Sequence, residues 1–546
     1  MLTSEATGYQ VIVIGAGFAG MYALHRFRDD LGLRVRVFER GSDVGGTWYW
    51  NRYPGARCDV ESMSYSYSFD DDLQQDWRWT ELYPAQPEIL AYANHVADRF
   101  DLRRDVSFDT SVVSAAFDDT TSTWTVTTDR GERFRAPHLV TAVGCLSASR
   151  TPPVPGIETF AGEVHHTGRW PHDGVDVSGK RVAVIGTGSS GIQVIPELAK
   201  QAARLTVLQR TPAYSIPAGN RPLTDREVAE TKADYPELRA QMRVSPAGVV
   251  TKLPIGSALD TPVERARAAM DERWQAGGTG LMTTFTDTAL DLQANHVLAE
   301  FVRERIGEVV DDPDTAALLT PRDYPIGAKR ICLDTGYYRT FNRDNVELVG
   351  IRDTPIEAVT AEGVVVDGVL HPVDMIVFAT GYDAMTGPLN AIDIRNGSGE
   401  TLREKWAAGP RTYLGIATAG FPNLFMLTGP GSPSVLVNMF VSIEQHVDWV
   451  CDLVAHLRAR GISRIEAEGE DEDRWVEEVN QRAAHTLFVQ ASSWYVGANI
   501  PGKPRVFMPY VGGMASYRDT CDQVAADGYR GFRLTGAHER PAEGAA

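Results

Sequence analysis

The chain is 546 residues long, 43% hydrophobic and 23% charged, with a formal net charge of −19. That length accommodates two or three domains with a core each, and the acid excess excludes a surface made for nucleic acid or for anionic lipid. No apolar run approaches the length of a membrane span, and the opening MLTSEATGYQ has neither the basic start nor the apolar stretch of a secretory signal.

The first predicted element is a short strand, Val11 to Ile14, followed by Gly15-x-Gly17-x-x-Gly20 and a helical pattern that includes Phe18. Strand, glycine turn and helix in that order are the setting of a dinucleotide fingerprint. The glycines let the backbone turn tightly and approach a pyrophosphate that rests on the positive end of the helix. The next strand, VRVFE, ends in Glu39, nineteen residues past Gly20. A carboxylate there accepts hydrogen bonds from both hydroxyls of an unphosphorylated ribose. A further strand, HLVTAVGCLS, is expected to end at Gly144.

The pattern then recurs. Val182 to Ile185 form a strand, Gly186-x-Gly188-x-x-Gly191 the turn, and a helix follows, with Thr187, Ser189, Ser190, Ile192 and Gln193 around the glycines. After the next strand, RLTVLQRTP, the place of the acid is taken by Arg210, with Thr211 beside it. An arginine and a hydroxyl pair with the 2′-phosphate that an acid would repel. The first site should therefore hold an adenosine without that phosphate and the second NADP, the combination of a flavoprotein fed by NADPH.

From Arg221 to Thr320 the pattern turns helical. Capping boxes are expected at Thr224–Glu227 and Thr261–Glu264, the second with Pro262 as the first helical residue and Gly277–Gly278 at the end of its helix. GVVVDGVLHPVDMIVFATGYD then reads as a strand pair and an apolar strand, Met375 to Ala379, running into Thr380-Gly381. Two strand ends of one kind, on either side of the second unit, mark crossing points between domains. The expected fold is α/β, with two Rossmann-like dinucleotide domains, the NADP domain inserted in the FAD domain. Residues 1–144 and 381–546 would form the FAD domain, 145–220 and 321–380 the NADP domain, and 221–320 a helical insertion. The tail GAHERPAEGAA is expected to be disordered. Cys58, Cys145, Cys332, Cys451 and Cys521 stand singly, which is neither a disulfide framework, a zinc pattern nor a CxxC pair. A reducing cytoplasm is the expected compartment, and no metal site is expected.

Three further motifs carry a resemblance. Phe160-x-Gly162-x-x-x-His166-x-x-x-Trp170-Pro171 resembles the fingerprint of the Baeyer–Villiger monooxygenases. GGTWYWNRYPGARCD, Gly45 to Asp59, resembles their second fingerprint, and PIGAKRICLDTGYYRTFNRDNVEL their active-arginine segment. The likeness runs from about Tyr9 to Leu534 and is strongest to phenylacetone, steroid and cyclohexanone monooxygenases. It implies insertion of one oxygen atom of O2 beside a ketone carbonyl, through a C4a-peroxyflavin, to give an ester or lactone. Sulfoxidation is expected as a side activity. The partners implied are the ketone and O2, with no obligatory protein partner, nucleic acid or membrane.

By the same resemblance Arg330 is the fixed cation that such chemistry needs in a dry site, and Asp59 the acid that orients it. FAD contacts fall to Glu39, Gly46, Thr47, Trp48, Asp59, Tyr65, Val112 and Met439, with Arg57 and Cys58 in the same motif. Lys329 would join Arg210 and Thr211 on the 2′-phosphate, and Trp494 would close over the nicotinamide nucleotide. Ser434, Val435 and Leu436 would line the substrate pocket. His166 would be a joint in the linker between the domains and not a metal ligand or base, with His165 a solvated neighbour. Cys145 departs from the family, whose members often have glutamine near the nicotinamide. Three rivals use the same scaffold. Nitrogen- or sulfur-oxygenating relatives usually have Tyr or Phe in place of Trp170 and lack the Arg330 segment. A disulfide reductase would need a cysteine pair. A redox-sensing module would consume no ketone.

Overall fold

The computed structural model describes residues 8–536. Two five-stranded parallel sheets carry the architecture. In the first, the strand order is Leu424–Met426, His138–Thr141, Val11–Ile14, Val35–Phe38 and Val106–Ser107, with Val11 opposite Val35 on one side and His138 on the other. The second runs Glu163–His166, Met375–Phe378, Arg181–Ile185, Arg204–Gln209 and Val346–Gly350, again all parallel. Parallel sheets need cover on both faces, so their strands read as unbroken apolar runs. Val11 to Val13, Val182 to Val184 and Met375 to Phe378 are all fully buried.

The two sheets are built alike down to the glycines. Gly15 and Gly186 both have φ above +100°, where only glycine is comfortable. A Cβ on Gly15 would lie 2.5 Å from the Ala142 carbonyl oxygen, and one on Gly186 would lie 2.6 Å from that of Ala379. Gly20 and Gly191 in turn pack onto the carbonyls of Gly15 and Gly186. The strands 138–141 and 375–378 are thus equivalent, each wedged behind a fingerprint. Both end earlier than the sequence suggests, at Thr141 and Phe378, because the chain turns away to make room for the glycine loop. Each sheet also has an antiparallel attachment: Val112–Asp118, Thr123–Thr128 and Arg133–Ala136 in one, Ile356–Thr360, Gly363–Val366 and Val369–Pro372 in the other.

Residues 221–320 hold five helices, and they divide between the two cores. Asp225–Ala233 and Tyr235–Val244 pack through Val228, Tyr235 and Met242 into the core of the first sheet. Val263–Ala276, Leu292–Val309 and Pro313–Leu319 pack against the second. The Thr224 capping box forms, with Glu227 returning a bond from the Thr224 N–H. The Thr261 box does not. Pro262 is the cap, and the Thr261 hydroxyl donates back to the Ser257 carbonyl at 2.6 Å, a local bond that competes with capping. Gly277, at φ +76°, ends that helix as expected. Gly536 closes the strand Phe532–Gly536, and the rest of the tail lies outside the described residues. Among the described residues no helix is long and apolar enough to cross a membrane.

Candidate active site

A cavity of about 1200 Å³ runs between the carboxyl ends of the two sheets, the edge at which open α/β folds bind ligands. Both fingerprints open into it. The helices Phe18–His25 and Ser189–Ala199 start at Gly17 and Gly188 with no side-chain cap, so their first N–H groups are left for a ligand. Gly188 discriminates between fold and ligand as the reason for a glycine. A Cβ there would meet nothing within 4 Å, whereas one on Gly191 would lie 2.3 Å from the Gly186 oxygen. The chain needs Gly191, and only something lying in the cavity needs Gly188. Gly17 and Gly46 approach so closely that a Cβ on Gly46 would lie 2.7 Å from the Gly17 Cα.

Glu39 follows its strand and borders the cavity, 6% exposed. It accepts from the N–H groups of Ala16 at 2.8 Å and Gly41 at 2.7 Å, which fix the carboxylate and leave lone pairs for ribose hydroxyls. Trp48 donates to the Tyr65 hydroxyl at 3.1 Å, and both rings line the cavity with Thr47, Val112 and Met439. At the other end Arg210 and Lys329 border it, with no carboxylate paired to either among the described residues. Lys329 lies over the Tyr324 ring; burial and then Arg210 hold its ammonium below the usual lysine value. Two neighbouring cations without a carboxylate ion pair among the described residues, beside Thr211, suit a doubly charged phosphate. The donors, glycines and acid present therefore fit FAD in the first unit and NADP in the second.

Arg330 and Asp59 meet on the cavity wall. The Arg330 Nη2 is 3.5 Å from the Asp59 Oδ2, and Nη1 donates to the Val435 carbonyl at 3.1 Å. Leu333 N–H donates to Asp59 at 3.4 Å, holding the carboxylate against the arginine's own strand segment. Burial opposes the Arg330 charge, but Asp59 first, then Tyr495, Cys332 and Cys58, outweigh it and push the pKa above the usual arginine value. Asp59 goes up as well, because burial outweighs the pull of Arg330. The part of Arg330 left accessible, 37% of the side chain, opens into the cavity.

Several expected contacts fall elsewhere. The Arg57 guanidinium pairs with Glu81 and the Tyr83 carbonyl, although the residue borders the cavity. Gly20, Gly191 and Ile192 lie behind the fingerprints. Of the three substrate-pocket candidates only Val435 borders the cavity. Ser434 is fully buried at φ +43° and donates to the Thr428 carbonyl and the Cys145 thiol, while Leu436 packs in an apolar cluster with Tyr495 and Phe507. Cys145 borders the cavity, its thiol pushed up by burial, and Trp494 borders it too. Cys58 is likewise at the wall, pushed up to about 12 by burial.

The segment Phe160–Pro171 is a strut. His166 pairs beside Phe378 in the second sheet, 4% exposed. Its Nδ1 accepts from the Gly168 N–H at 2.9 Å, so Nε2 carries the proton and donates to the Arg150 carbonyl at 3.1 Å. Burial lowers its pKa, keeping it neutral. The Phe160 ring lies where a Cβ of Gly162 would be, and Trp170 is buried in the second core. His165 is not a solvated neighbour: it pairs with Glu163 at 3.0 Å and packs on Trp170. Among the described residues no cluster of potential metal ligands forms.

Two ties across the cavity escaped the sequence reading. Tyr53 donates to Gln193 at 2.7 Å, and a Cβ on Gly55 would lie 2.4 Å from the Gln193 carbonyl oxygen, so YPG in the 45–59 motif is a wedge against the second fingerprint helix. Asn51 accepts from Tyr382, whose ring lies against Gly168. Nothing in local spacing announces either pair.

Fold and site together define a flavoprotein oxidoreductase with two nucleotide sites. A family model described as flavin-binding monooxygenase-like matches residues 8–218. A phenazine N-monooxygenase of Lysobacter antibioticus is 42% identical over 98% of each chain, and a Baeyer–Villiger monooxygenase of Pseudooceanicola batsensis 43% identical over 95% of each. The structure of an oxidized steroid monooxygenase bound to NADP superposes with a TM-score of 0.93 at 55% identity, covering 97% of this chain and 100% of that one. The chain belongs to the flavin-binding monooxygenase family.

Proposed function

We propose that the protein is an FAD-containing, NADPH-dependent Baeyer–Villiger monooxygenase that converts a ketone and O2 to an ester or lactone. The observation that carries this reading is the Arg330–Asp59 pair on the wall of a cavity shared by the two fingerprints. Bound flavin, reduced by NADPH, supplies the activated oxygen. Glu39 and the uncapped helix at Gly17 hold the FAD. Gly188, Arg210, Thr211 and Lys329 hold the NADP, and Trp494 covers it.

Arg330 stabilises the negative charge that builds on the substrate oxygen, and it does so without reorganisation because Asp59 and the Val435 carbonyl fix the guanidinium beforehand. Asp59 keeps that cation from drawing on a mobile counter-ion. Val435, Cys145, Met439 and Trp494 keep water from the site. His166 ties residue 150 to the second sheet, so that the strands crossing between the sheets move as one. The division between the FAD and NADP domains at 144 and 380 follows the two crossing points, and the helices of 221–320 are shared between the two cores. Five buried, unpaired cysteines suit a reducing cytoplasm.

A second reading, oxygenation of an aromatic nitrogen, has one observation in its favour: the likeness to a phenazine N-monooxygenase over the whole chain. The purified FAD-loaded protein, given NADPH and air with cyclic, aryl and steroidal ketones, a thioether and phenazine, separates the two. Ester or lactone matching the NADPH consumed is the expected result. N-oxide as the main product, with ketones recovered unchanged, would replace the ketone reading.

A further inference from the structure

A second cavity, of about 210 Å³, lies on the far side of the helix Met439–Ala459. Met439 and Ile443 face the large cavity, and Phe440, Val441, Glu444, Gln445 and Asp448 face this one, so the helix separates the two. The mechanism above uses none of these five residues.

The charges around it are unevenly satisfied. Both carboxylates already have partners, Ser68 and Tyr22 on the cavity wall and Arg26 outside it. Glu444 accepts from the Ser68 N–H and hydroxyl, each at 2.5 Å, and Asp448 takes the Tyr22 hydroxyl at 2.7 Å and Arg26 at 3.0 Å. The three arginines are not so matched. Arg239, only 5% exposed, has just neutral acceptors: Gln74, the Ser64 carbonyl and the Ser66 hydroxyl. Arg243 has one long bond, to the Ser68 hydroxyl at 3.4 Å. Arg518 forms no ion pair among the described residues, and its Nε is buried without an acceptor. Burial lowers the pKa of both Arg239 and Arg518, outweighing the pull of Glu444 on the first and of Asp522 and Asp448 on the second, none of which forms an ion pair with them.

Gln445 is the independent sign of a ligand. Its side chain is 3% exposed, and its amide oxygen and nitrogen both lack a hydrogen-bond partner; only the Cys521 thiol feels the amide weakly. A buried primary amide left open at both ends is rare in folded proteins, because each unmet group costs on the order of 1–3 kcal/mol. It lies against a cavity whose surplus charge is positive.

We propose that this cavity is a binding site for a compact anion, a carboxylate or phosphate group, held by Arg518, Arg239 and Arg243 with the Gln445 amide completing its hydrogen bonds. The volume admits the head of a small metabolite and excludes a dinucleotide. This site is separate from the 2′-phosphate site at Arg210 and does not depend on the ketone reading.

The test uses the FAD-loaded protein saturated with NADP+, so that the Arg210 site is filled, at constant ionic strength. Thermal unfolding and isothermal titration are followed with inorganic phosphate in one arm and malonate in the other. Saturable binding of either probe, weakened at least tenfold in Arg518→Met and in Gln445→Leu, is the expected result, and the stronger arm identifies the head group. No saturable binding in either arm overturns the proposal. So does binding that both variants leave unchanged. Should one variant fail to fold, the other decides, since Gln445→Leu keeps the volume and Arg518→Met keeps the stem.

Discussion

Replacing Arg330 by alanine removes the cation that pairs with Asp59 on the cavity wall, and the consequences can be worked out from its contacts. The guanidinium is fixed by the Val435 carbonyl at 3.1 Å and by Asp59 at 3.5 Å, which makes it a preorganised group rather than a mobile one. Losing such a group costs about 10²–10³ in rate, or about 2.7–4 kcal/mol of transition-state stabilisation. Ester formation should fall by at least that factor, while FAD stays bound, because the pyrophosphate and ribose are expected to be held at the first fingerprint and Glu39, which the change leaves intact. NADPH oxidation should persist and yield hydrogen peroxide instead of product.

The same change has a second signature in stability. Asp59 is raised by burial and restrained by Arg330; without the arginine it must rise further. A carboxyl group whose folded pKa exceeds its unfolded one binds more protons in the native state, so stability falls as pH rises through the window between the two values. That window opens at the ordinary aspartate value, about 3.9, and its upper edge moves up in the variant. The deficit of Arg330→Ala against wild type should therefore grow with pH, by about 1.4 kcal/mol per unit of added shift, and then level off. Adding Asp59→Asn should remove that growth. Product analysis by gas chromatography and unfolding scans from pH 5 to 8 check both. Ester made at near wild-type rate, or a deficit that is largest in acid, would refute the assignment of this pair.

Arg210→Ala should remove a charge-assisted contact of about 1.5–3 kcal/mol and raise KM for NADPH far more than for NADH; equal changes would place the phosphate elsewhere. Gly188→Ala should leave the melting temperature near wild type but weaken NADPH binding, because its Cβ enters open cavity, whereas Gly191→Ala, facing an oxygen at 2.3 Å, should destabilise the fold itself. Two buried histidines should govern acid stability. His446 is pushed down to about 3 and His138 to about 4, chiefly by burial. Each takes up its proton only on unfolding, so stability should drop by about 1.4 kcal/mol per pH unit per histidine as pH falls below about 6.5; His446→Gln, compared with wild type between pH 7 and 5, should show the shallower slope. His166→Ala leaves the Gly168 N–H unmet at a cost of about 1–3 kcal/mol, while the Thr380 hydroxyl still serves the Arg150 carbonyl, and should lower the fraction of NADPH used for oxygenation without loss of FAD.

Legibility in the sequence followed the range of the interaction. The two fingerprints could be read because their glycines answer to backbone atoms a few residues away: Gly20 to Gly15, Gly191 to Gly186. Glu39 and Arg210 could be read because a strand of fixed length delivers the next residue to the same edge of the sheet. The Thr224 box formed for the same reason, all its partners lying within one turn. Thr261 has the same local letters and failed, since a competing acceptor, the Ser257 carbonyl, lay within reach of the hydroxyl. The partner of Arg57 was out of range: its motif brought the residue to the cavity wall, and Glu81, from a loop that no pattern announced, pairs with the side chain there.

The Arg330–Asp59 pair shows how much a site of this kind owes to both ranges at once. Asp59 closes a motif whose tyrosine, proline and glycine have another task, packing Tyr53 and Gly55 against Gln193 of the second fingerprint helix. That wedge brings residue 59 to the segment 330–333, where the Leu333 N–H and the Arg330 guanidinium receive its carboxylate. The Asp59 carboxylate and the Arg330 guanidinium can therefore meet only when the wedge is seated between the two nucleotide units. A chain that bound each nucleotide separately would have no use for a close fit of Gly55 on a carbonyl of the other unit. Here the fit makes the position of the cation depend on how the two halves are docked. The 45–59 motif accordingly lies at the seam: its wedge seats one half on the other, and its Asp59 meets Arg330 beside that contact.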